Sequence, residues 1–217
     1  MVNRHEEITS LRSATVVDLD GTYVRTSTLK AYMLHGLRYL VSKGRLIKAS
    51  RVATLLSLYA LGRISHVEMK FKCLALIPRD EKMLRSFGAK MRAKINPAVS
   101  KLIEKRLADG HKVLLATASP DFYIPYIWDG EFVATAADNN PDRTECRGEN
   151  KLATVNKWLS ANGCRLDTVI TDHHDDAPLM VANKNGVNVL VSPKAATLDF
   201  LREFKPAHFL LIDEFDK

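Results

Sequence analysis

Three groups of polar side chains in this sequence have the types needed for chemistry on a phosphate group. The first group is Asp18 and Asp20, the second is Thr117 and Ser119, and the third is the Asp-His-His-Asp-Asp segment at 172–176. Each group follows a short apolar, β-branched segment of the kind that forms a buried parallel strand. Because ligands bind at the carboxyl ends of such strands, we expect the three groups to converge on one edge of a sheet.

The residue types favour phosphoryl transfer. Two neighbouring carboxylates such as Asp18 and Asp172 repel each other unless a cation neutralises them, and Mg²⁺ takes oxygen ligands of this kind. A carboxylate can then act as a nucleophile and form a covalent intermediate, while Asp20 protonates the leaving oxygen and later activates water. The Thr117 hydroxyl and the Lys151 ammonium would hold the phosphoryl oxygens as charge redistributes. The sequence therefore predicts a Mg²⁺ site with Asp18 as nucleophile.

The elements that must position these residues alternate between helix and strand after Pro97. This alternation is typical of an α/β fold with a Rossmann-like, doubly wound parallel sheet that helices cover on both faces. The predicted strands are 14–20, 112–116, 131–137, 168–171 and 188–192.

The segment between the first strand and Pro97 has a different pattern. Apolar residues recur there at helical spacing almost without strand signals, and Ser65 with Glu68 forms a capping box. The predicted helices are 29–41, 47–61, 65–76 and 79–94. We interpret residues 28–96 as a helical cap inserted into a catalytic core that consists of residues 1–27 and 97–217.

Four motifs of the sequence resemble those of the haloacid dehalogenase superfamily, in the same order. The string DLDGT at 18–22 resembles the first motif and LLATAS at 114–119 resembles the second. Lys151 in CRGENK resembles the third, and 172–176 resembles the acidic fourth motif. Helical insertion between the first two motifs is similar to the phosphoserine-phosphatase-like branch, subfamily IB, with its C1-type cap.

This resemblance implies a role for each matching residue. Asp18 would be the nucleophile and a metal ligand, and Asp20 would be the acid/base that also gives the metal its backbone carbonyl. Asp172 would ligate Mg²⁺, and Asp176 would support the metal from outside its ligand set or orient Lys151. Thr22 would also support its loop. The residues that would bind or balance the substrate phosphate are Gly21, Thr22, Thr117, Ala118, Ser119 and Lys151.

The sequence departs from the family pattern at several positions. His173 stands where a serine is usual, and Thr171 stands where a glycine usually precedes the fourth motif. Residues 23–27 lack the acidic residue associated with phosphoserine recognition, so phosphoserine is not carried over as the substrate. The letters DHH also occur in an unrelated phosphoesterase family, but the upstream Asp and His clusters of that family are absent. We expect one of His173 and His174 to cap or line the cleft and the other to be solvated.

The overall charge bears on the choice of partner. With 32 basic and 25 acidic side chains among 217 residues, the formal charge is +7, which favours anionic partners without choosing among them. We expect a small phosphorylated substrate and no nucleic acid partner. The basic, apolar cap leaves a second hypothesis, a lipid-phosphate phosphatase at the membrane surface. A non-catalytic binder of phosphorylated ligands and a phosphotransferase also remain as alternatives, and the oligomeric state is left open.

The cysteines and apolar segments bear on the compartment. Cys73, Cys146 and Cys164 are odd in number and form no CxxC pair, which fits a reducing compartment. The polar residues at 1–13 lack the apolar core of a signal peptide. The longest apolar stretch, 52–62, is shorter than the roughly 20 residues of a membrane-spanning helix. These observations predict a cytoplasmic protein.

Overall fold

A single parallel sheet organises the computed structural model, which describes residues 11–204 and 209–212. Six strands lie in the order β3-β2-β1-β4-β5-β6, and every neighbouring pair is parallel. They are β1 (Arg12–Val17), β2 (Lys112–Pro120), β3 (Glu131–Thr135), β4 (Cys164–Thr171), β5 (Val187–Val191) and β6 (Phe209–Ile212). The strand order reverses direction between β1 and β4, which is the point where such sheets bind ligands.

The five predicted strands correspond to β1 to β5, but their first and last residues differ from those in the structure. β2 extends to Pro120, which pairs with Thr135 after a register shift, whereas the prediction ended it at residue 116. β6 was not predicted, because four apolar residues are too few to distinguish a strand by periodicity. Residues 1–10, 205–208 and 213–217 lie outside the described residues. The first of these segments belongs to the predicted catalytic core, and its polar composition was one reason to predict a cytoplasmic protein.

Helices cover both faces of the sheet, which confirms the doubly wound α/β fold. On β1, Val17 faces one apolar core whereas Ala14 and Val16 face the other, as expected for a strand buried on both sides. The helices that follow the first strand are α1 (Thr28–Ser42), α2 (Leu46–Ala60), α3 (His66–Leu76), α4 (Glu81–Arg92) and α5 (Pro97–Ala108). The later ones are α6 (Gly148–Ala161), α7 (Ala177–Ala182) and α8 (Ala195–Phe204), with 3-10 turns at Asp121–Tyr126 and His174–Asp176.

Helices α1 to α4 form an insertion between β1 and α5, and three of them begin with a side-chain cap. The side chains of Ser27, Ser65 and Asp80 accept hydrogen bonds from the amides of Lys30, Glu68 and Met83, respectively. Each cap satisfies a backbone amide that has no partner within its helix.

Aromatic packing attaches the insertion to the sheet domain. Tyr32 of α1, Phe87 of α4 and Tyr123 of the Asp121–Tyr126 turn are all fully buried, and their ring centroids lie 5.2–5.3 Å apart. Beside them, α4 approaches the same turn so closely that a Cβ on Gly88 would lie 2.5 Å from the backbone oxygen of Tyr126. The insertion therefore contacts the core through buried, closely packed aromatic rings.

The sequence predicts unpaired cysteines and no membrane-spanning helix. Cys73, Cys146 and Cys164 are free and buried. Among the described residues, no helix is both long and apolar enough to cross a membrane.

Replacement of Gly88 with alanine tests the α4 contact. Alanine is about 1 kcal/mol better than glycine in a helix interior, but the overpacking against Tyr126 costs about 1–3 kcal/mol, so we expect Gly88→Ala to lower the free energy of unfolding. Urea denaturation measures this change. Ser86→Ala, at an exposed position of α4, is the control and should be neutral or slightly stabilising. Equal or greater stability of Gly88→Ala would contradict the close contact.

Candidate active site

The polar groups predicted to converge do lie together in the structure. Most of them line a cavity of about 200 Å³ at the carboxyl ends of β1, β2 and β4, three neighbouring strands of the sheet, whereas Ser119 and His174 are not among its lining residues. The residues that line it are Asp18, Asp20, Thr117, Ala118, Arg147, Lys151, Asp172, His173, Asp175 and Asp176.

The turn after β1 carries Asp18 and Asp20 and packs against the end of β4. The Asp18 amide donates to the Ile170 carbonyl at 2.9 Å, which fixes the start of the turn against β4. Gly21 has a φ of +83°, and a Cβ at this position would lie 2.2 Å from Oδ2 of Asp172. The buried Thr22 hydroxyl donates to Oδ1 of Asp172 at 3.2 Å. Gly21 and Thr22, predicted to bind phosphate, therefore contact Asp172 directly.

A buried lysine joins two of the carboxylates. Nζ of Lys151, near the start of α6, lies 2.8 Å from Oδ1 of Asp18 and 2.7 Å from Oδ1 of Asp176. The other oxygen of Asp176 accepts from the Thr171 hydroxyl at 2.8 Å. Thr171 is the residue that replaces the usual glycine of the fourth motif, so in this chain it orients the carboxylate that orients Lys151.

Burial and like charge perturb the titration of these groups. Burial, reinforced by the charges of Asp176 and Asp172, raises the pKa of Asp18 to about 8 although Lys151 acts in the opposite direction. Burial likewise raises the pKa of Asp172. Burial disfavours the charged form of Lys151, but Asp176 and Asp18 outweigh it and raise the pKa of the ammonium.

The donor set at this edge fits a hard divalent cation. Asp18 and Asp172 are half-buried carboxylates at the ends of neighbouring strands, and burial raises the pKa of both. Oxygen ligands of this type are those that Mg²⁺ prefers, and a cation beside them would lower the cost of their ionisation. The residues present therefore suit the predicted metal.

Asp20 is held from two sides. The Ser119 hydroxyl donates to Oδ2 of Asp20 at 2.5 Å, and the Thr28 amide at the start of α1 donates to Oδ1. The Thr28 hydroxyl contacts Ser119 Oγ at 2.9 Å and Tyr123 OH at 3.0 Å. Ser119, predicted to bind phosphate, thus orients Asp20. No feature of the sequence indicated that Thr28 or Tyr123 would lie beside Asp20.

The peptide after Thr117 is also fixed by hydrogen bonds. Thr117 Oγ1 accepts from the Ser119 amide at 3.0 Å. The Ala118 carbonyl accepts from Nζ of Lys70 on α3 and from the Thr135 hydroxyl, both at 2.7 Å. Lys70 is fully buried and also lies 2.5 Å from the Glu145 carboxylate. Sequence reasoning missed Lys70 and Glu145, because nothing local to α3 indicates that one of its lysines points into the protein.

The histidines occupy the rim. His173 Nδ1 accepts from the Asp175 amide and lies 3.0 Å from the Asp175 carboxylate, which also pairs with Arg147 at 2.6 Å. Burial opposes the ionisation of Asp175, but His173 and Arg147 outweigh it and lower the pKa of that carboxyl. His173 therefore caps a turn and lines the cavity, as expected for one of the two. His174 is half-buried, stacked on His173 and packed against Phe200, so the expectation that it is solvated is wrong.

Comparison with solved structures shows similar folds at low sequence identity. A protein of unknown function from Bordetella pertussis Tohama I has a TM-score of 0.72 and 20% identity, with 95% of this chain and 100% of that chain covered. A phosphoserine phosphohydrolase-like protein from Francisella tularensis subsp. tularensis SCHU S4 has a TM-score of 0.56 and 15% identity over 91% and 94%. A substrate-bound phosphoserine phosphatase has a TM-score of 0.56 and 12% identity over 92% of both chains.

The family assignment comes from the sequence. No curated protein sequence matches this chain. The family model described as haloacid dehalogenase-like hydrolase matches residues 15–181, a range that contains Asp18, Thr117, Lys151 and Asp172. The chain therefore belongs to the haloacid dehalogenase-like hydrolase family, as its four motifs predicted.

Proposed function

We propose that the protein is a Mg²⁺-dependent phosphomonoester hydrolase that acts through an aspartyl-phosphate on Asp18. The observation that carries this proposal is the contact between the Asp18 carboxylate and the buried Lys151 ammonium, with Asp20, Thr117 and Asp172 in the same cavity. Membership of the haloacid dehalogenase-like hydrolase family, and similar folds that are named for phosphoserine phosphatase, support a phosphate ester as the substrate.

The first half of the reaction transfers the phosphoryl group to the protein. Lys151 binds one oxygen of the Asp18 carboxylate, and the second oxygen attacks phosphorus. As the new P–O bond forms, the bond to the leaving oxygen breaks, and Asp20 in its acid form donates a proton to that oxygen. The hydrogen bonds from Ser119 and Thr28 hold the Asp20 carboxyl in one orientation for this transfer.

The second half regenerates Asp18. Asp20, now a carboxylate, takes a proton from water as the water oxygen attacks phosphorus, and the bond between phosphorus and the Asp18 oxygen breaks. Thr117 and Lys151 hold phosphoryl oxygens in both halves. Mg²⁺ held by the carboxylates of Asp18 and Asp172 and the backbone carbonyl of Asp20 would reduce the repulsion between the anionic nucleophile and the anionic substrate.

We further propose that residues 28–96 act as a cap over this cavity, with the core at 1–27 and 97–217. The support is that two groups of the insertion, the Thr28 amide and the Lys70 ammonium, bind Asp20 and the Ala118 carbonyl. A cap in this position would exclude water and complete the site when it closes on substrate.

Replacement of the two carboxylates by amides tests the mechanism. We expect Asp18→Asn to lower kcat at least about 1,000-fold, because it removes the nucleophile. Asp20→Asn should lower kcat about 100- to 10,000-fold, because it removes the proton donor and acceptor. Phosphate release from an aryl phosphate and from phosphorylated metabolites measures both changes. The control is Asp109→Asn at the C-cap of α5, before β2 and so at the opposite edge of the sheet. Full activity of Asp18→Asn would overturn the aspartyl-phosphate.

Metal removal tests the cofactor. We expect EDTA to lower the rate about 100-fold or more and Mg²⁺ to restore it, because the cation offsets the charge of the carboxylates. Ca²⁺ should restore it poorly, since it favours a larger, more flexible set of ligands. Asp172→Asn should raise the Mg²⁺ concentration that gives half-maximal activity. Undiminished turnover in EDTA by protein shown to be free of metal would contradict the Mg²⁺ requirement.

Replacement of Lys70 tests whether the cap positions the phosphate-binding peptide. We expect Lys70→Met to lower kcat about 10- to 100-fold with a smaller change in KM, because the Ala118 peptide loses a donor that fixes its orientation. Steady-state kinetics separates the two constants. Lys72→Met removes a neighbouring lysine whose pair with Glu68 is largely exposed, and should change little.

A loss of folding must be separated from a loss of positioning in this experiment. Lys70→Met leaves the largely buried Glu145 carboxylate without its cation, which is itself destabilising. The double variant Lys70→Met/Glu145→Gln removes both charges and should recover stability without recovering kcat. A folded double variant with wild-type kcat would show that the Lys70 contact is structural only.

A further inference from the structure

A second cavity lies within the insertion, between α1, α2 and α3. We call it the insertion pocket. Its volume is about 290 Å³, and its walls are mainly apolar. The apolar side chains that line it are Leu29, Met33, Leu34, Leu56, Tyr59 and Met69. Cavities of this composition with few polar groups are typical of sites for small organic ligands.

The insertion pocket adjoins the segments by which the insertion contacts the active site. Ser27 and Leu29 line it, and Thr28 between them donates its amide to Asp20. Met69 lines it as well, and the next residue, Lys70, donates to the Ala118 carbonyl. Residues that line the insertion pocket are thus directly next in sequence to the two residues of the insertion that contact the active site.

The polar groups of the insertion pocket are Ser27, Lys30 and His66. Nδ1 of His66 is buried and has no hydrogen-bonding partner within the described part of the chain. Burial lowers the pKa of this histidine, and the cations of Lys70, Arg147 and Lys30 act in the same direction, whereas the Glu145 carboxylate acts against them. Ser27, Lys30 and His66 therefore give hydrogen-bonding capacity to one part of an otherwise apolar wall.

The outer wall of the pocket is apolar and open to solvent. Leu34 is 47% exposed and Tyr59 is 38% exposed, although both line the cavity. Deeper in the pocket, Met33 and Met69 are 2% and 4% exposed. Apolar surface that continues from solvent into a cavity marks a site where an apolar group can be buried.

We propose that the insertion pocket binds the organic part of the substrate, and that the protein prefers phosphate monoesters of single-chain alkyl alcohols. This inference rests on the proposed phosphatase function and specifies its substrate class. The volume of about 290 Å³ lies at the lower end of the range for ligand cavities, about 300–1,000 Å³, which favours one short chain over a lipid with two long chains. The small catalytic cavity then holds the phosphate, and the insertion pocket supplies the affinity for the alcohol.

A series of n-alkyl phosphates from ethyl to decyl, each below its micelle concentration, tests this substrate class. The leaving alcohols are all primary, so their intrinsic reactivity is nearly constant and chain length is the variable. We expect kcat/KM in Mg²⁺ to rise up to about fourfold per added methylene, the factor equivalent to ~0.8 kcal/mol of burial, and then to level off when the pocket is full. A flat or falling profile from active enzyme would overturn the proposal. Faster turnover of dioleoyl phosphatidate in vesicles than of any soluble ester would also overturn it.

Two tryptophan variants of adjacent residues on α2 localise the effect. Leu56 lines the insertion pocket, whereas Leu55 lines a separate groove between α2 and α3. We expect Leu56→Trp to fill the pocket and abolish the rise with chain length while turnover of ethyl phosphate is retained. Leu55→Trp should keep the wild-type profile. An unchanged profile in Leu56→Trp that hydrolyses ethyl phosphate normally would exclude this cavity as the binding site.

Binding of alkylphosphonates separates this proposal from the phosphatase function. These compounds have no ester bond to hydrolyse, and calorimetry in Mg²⁺ gives their Kd for wild type and Leu56→Trp. If no ester is hydrolysed but affinity rises with chain length only in wild type, the catalytic proposal fails and the apolar pocket stands. If esters are hydrolysed but affinity is independent of chain length, the pocket proposal fails and the phosphatase stands.

Discussion

The contact between the Lys151 ammonium and the carboxylates of Asp18 and Asp176 is the interaction on which the site depends. All three groups are buried or nearly so, and burying a charge without a partner is costly. The free-energy cost of burial is offset only if the three charged groups lie within contact distance of one another. They come from three separate segments, which are the ends of β1 and β4 and the start of α6. The parallel sheet provides this alignment, because β1 and β4 are neighbours and end at the same edge. A buried ammonium paired with two carboxylates at this edge of the sheet is thus a consequence of the fold.

The same edge of the sheet is also contacted by the insertion, and the contacts are polar where the rest of that interface is apolar. The aromatic cluster of Tyr32, Phe87 and Tyr123 supplies shape and burial, whereas the Thr28 amide and Lys70 bind groups next to the reacting atoms. Movement of the proposed cap would therefore release Asp20 and the Ala118 peptide together. In the proposed enzyme, an open cap would leave both groups less well ordered, so substrate entry and chemistry would be coupled through these bonds.

The sequence predicted those parts of the structure that have a local signal. The parallel sheet, the helical insertion and the convergence of Asp18, Thr117, Lys151 and Asp172 follow from alternating apolar segments, helix caps and motif order. Contacts between distant segments have no such signal. The apolar face of α3 indicates that the helix is packed, but it does not indicate that Lys70 reaches the Ala118 carbonyl, 48 residues away. The sequence shows that Thr171 stands where the family pattern has a glycine. Only the structure explains this difference, because the Thr171 hydroxyl donates a hydrogen bond to Asp176.

The proposed division of substrate binding between two cavities has a physical basis. Phosphate is the same in every monoester, so its recognition needs fixed charges, and these belong to the rigid strand ends around the smaller cavity. The organic group varies, and an apolar wall accepts such variation because dispersion and burial are not directional. Leu29, Met33 and Met69 belong to helices that only the insertion contributes. In the proposed enzyme, substitutions there would alter which alcohol is bound without replacing Lys151 or its carboxylates, because those groups belong to α6 and to the ends of β1 and β4. Specificity would then change by mutation of the insertion alone, while the sheet would retain the chemistry.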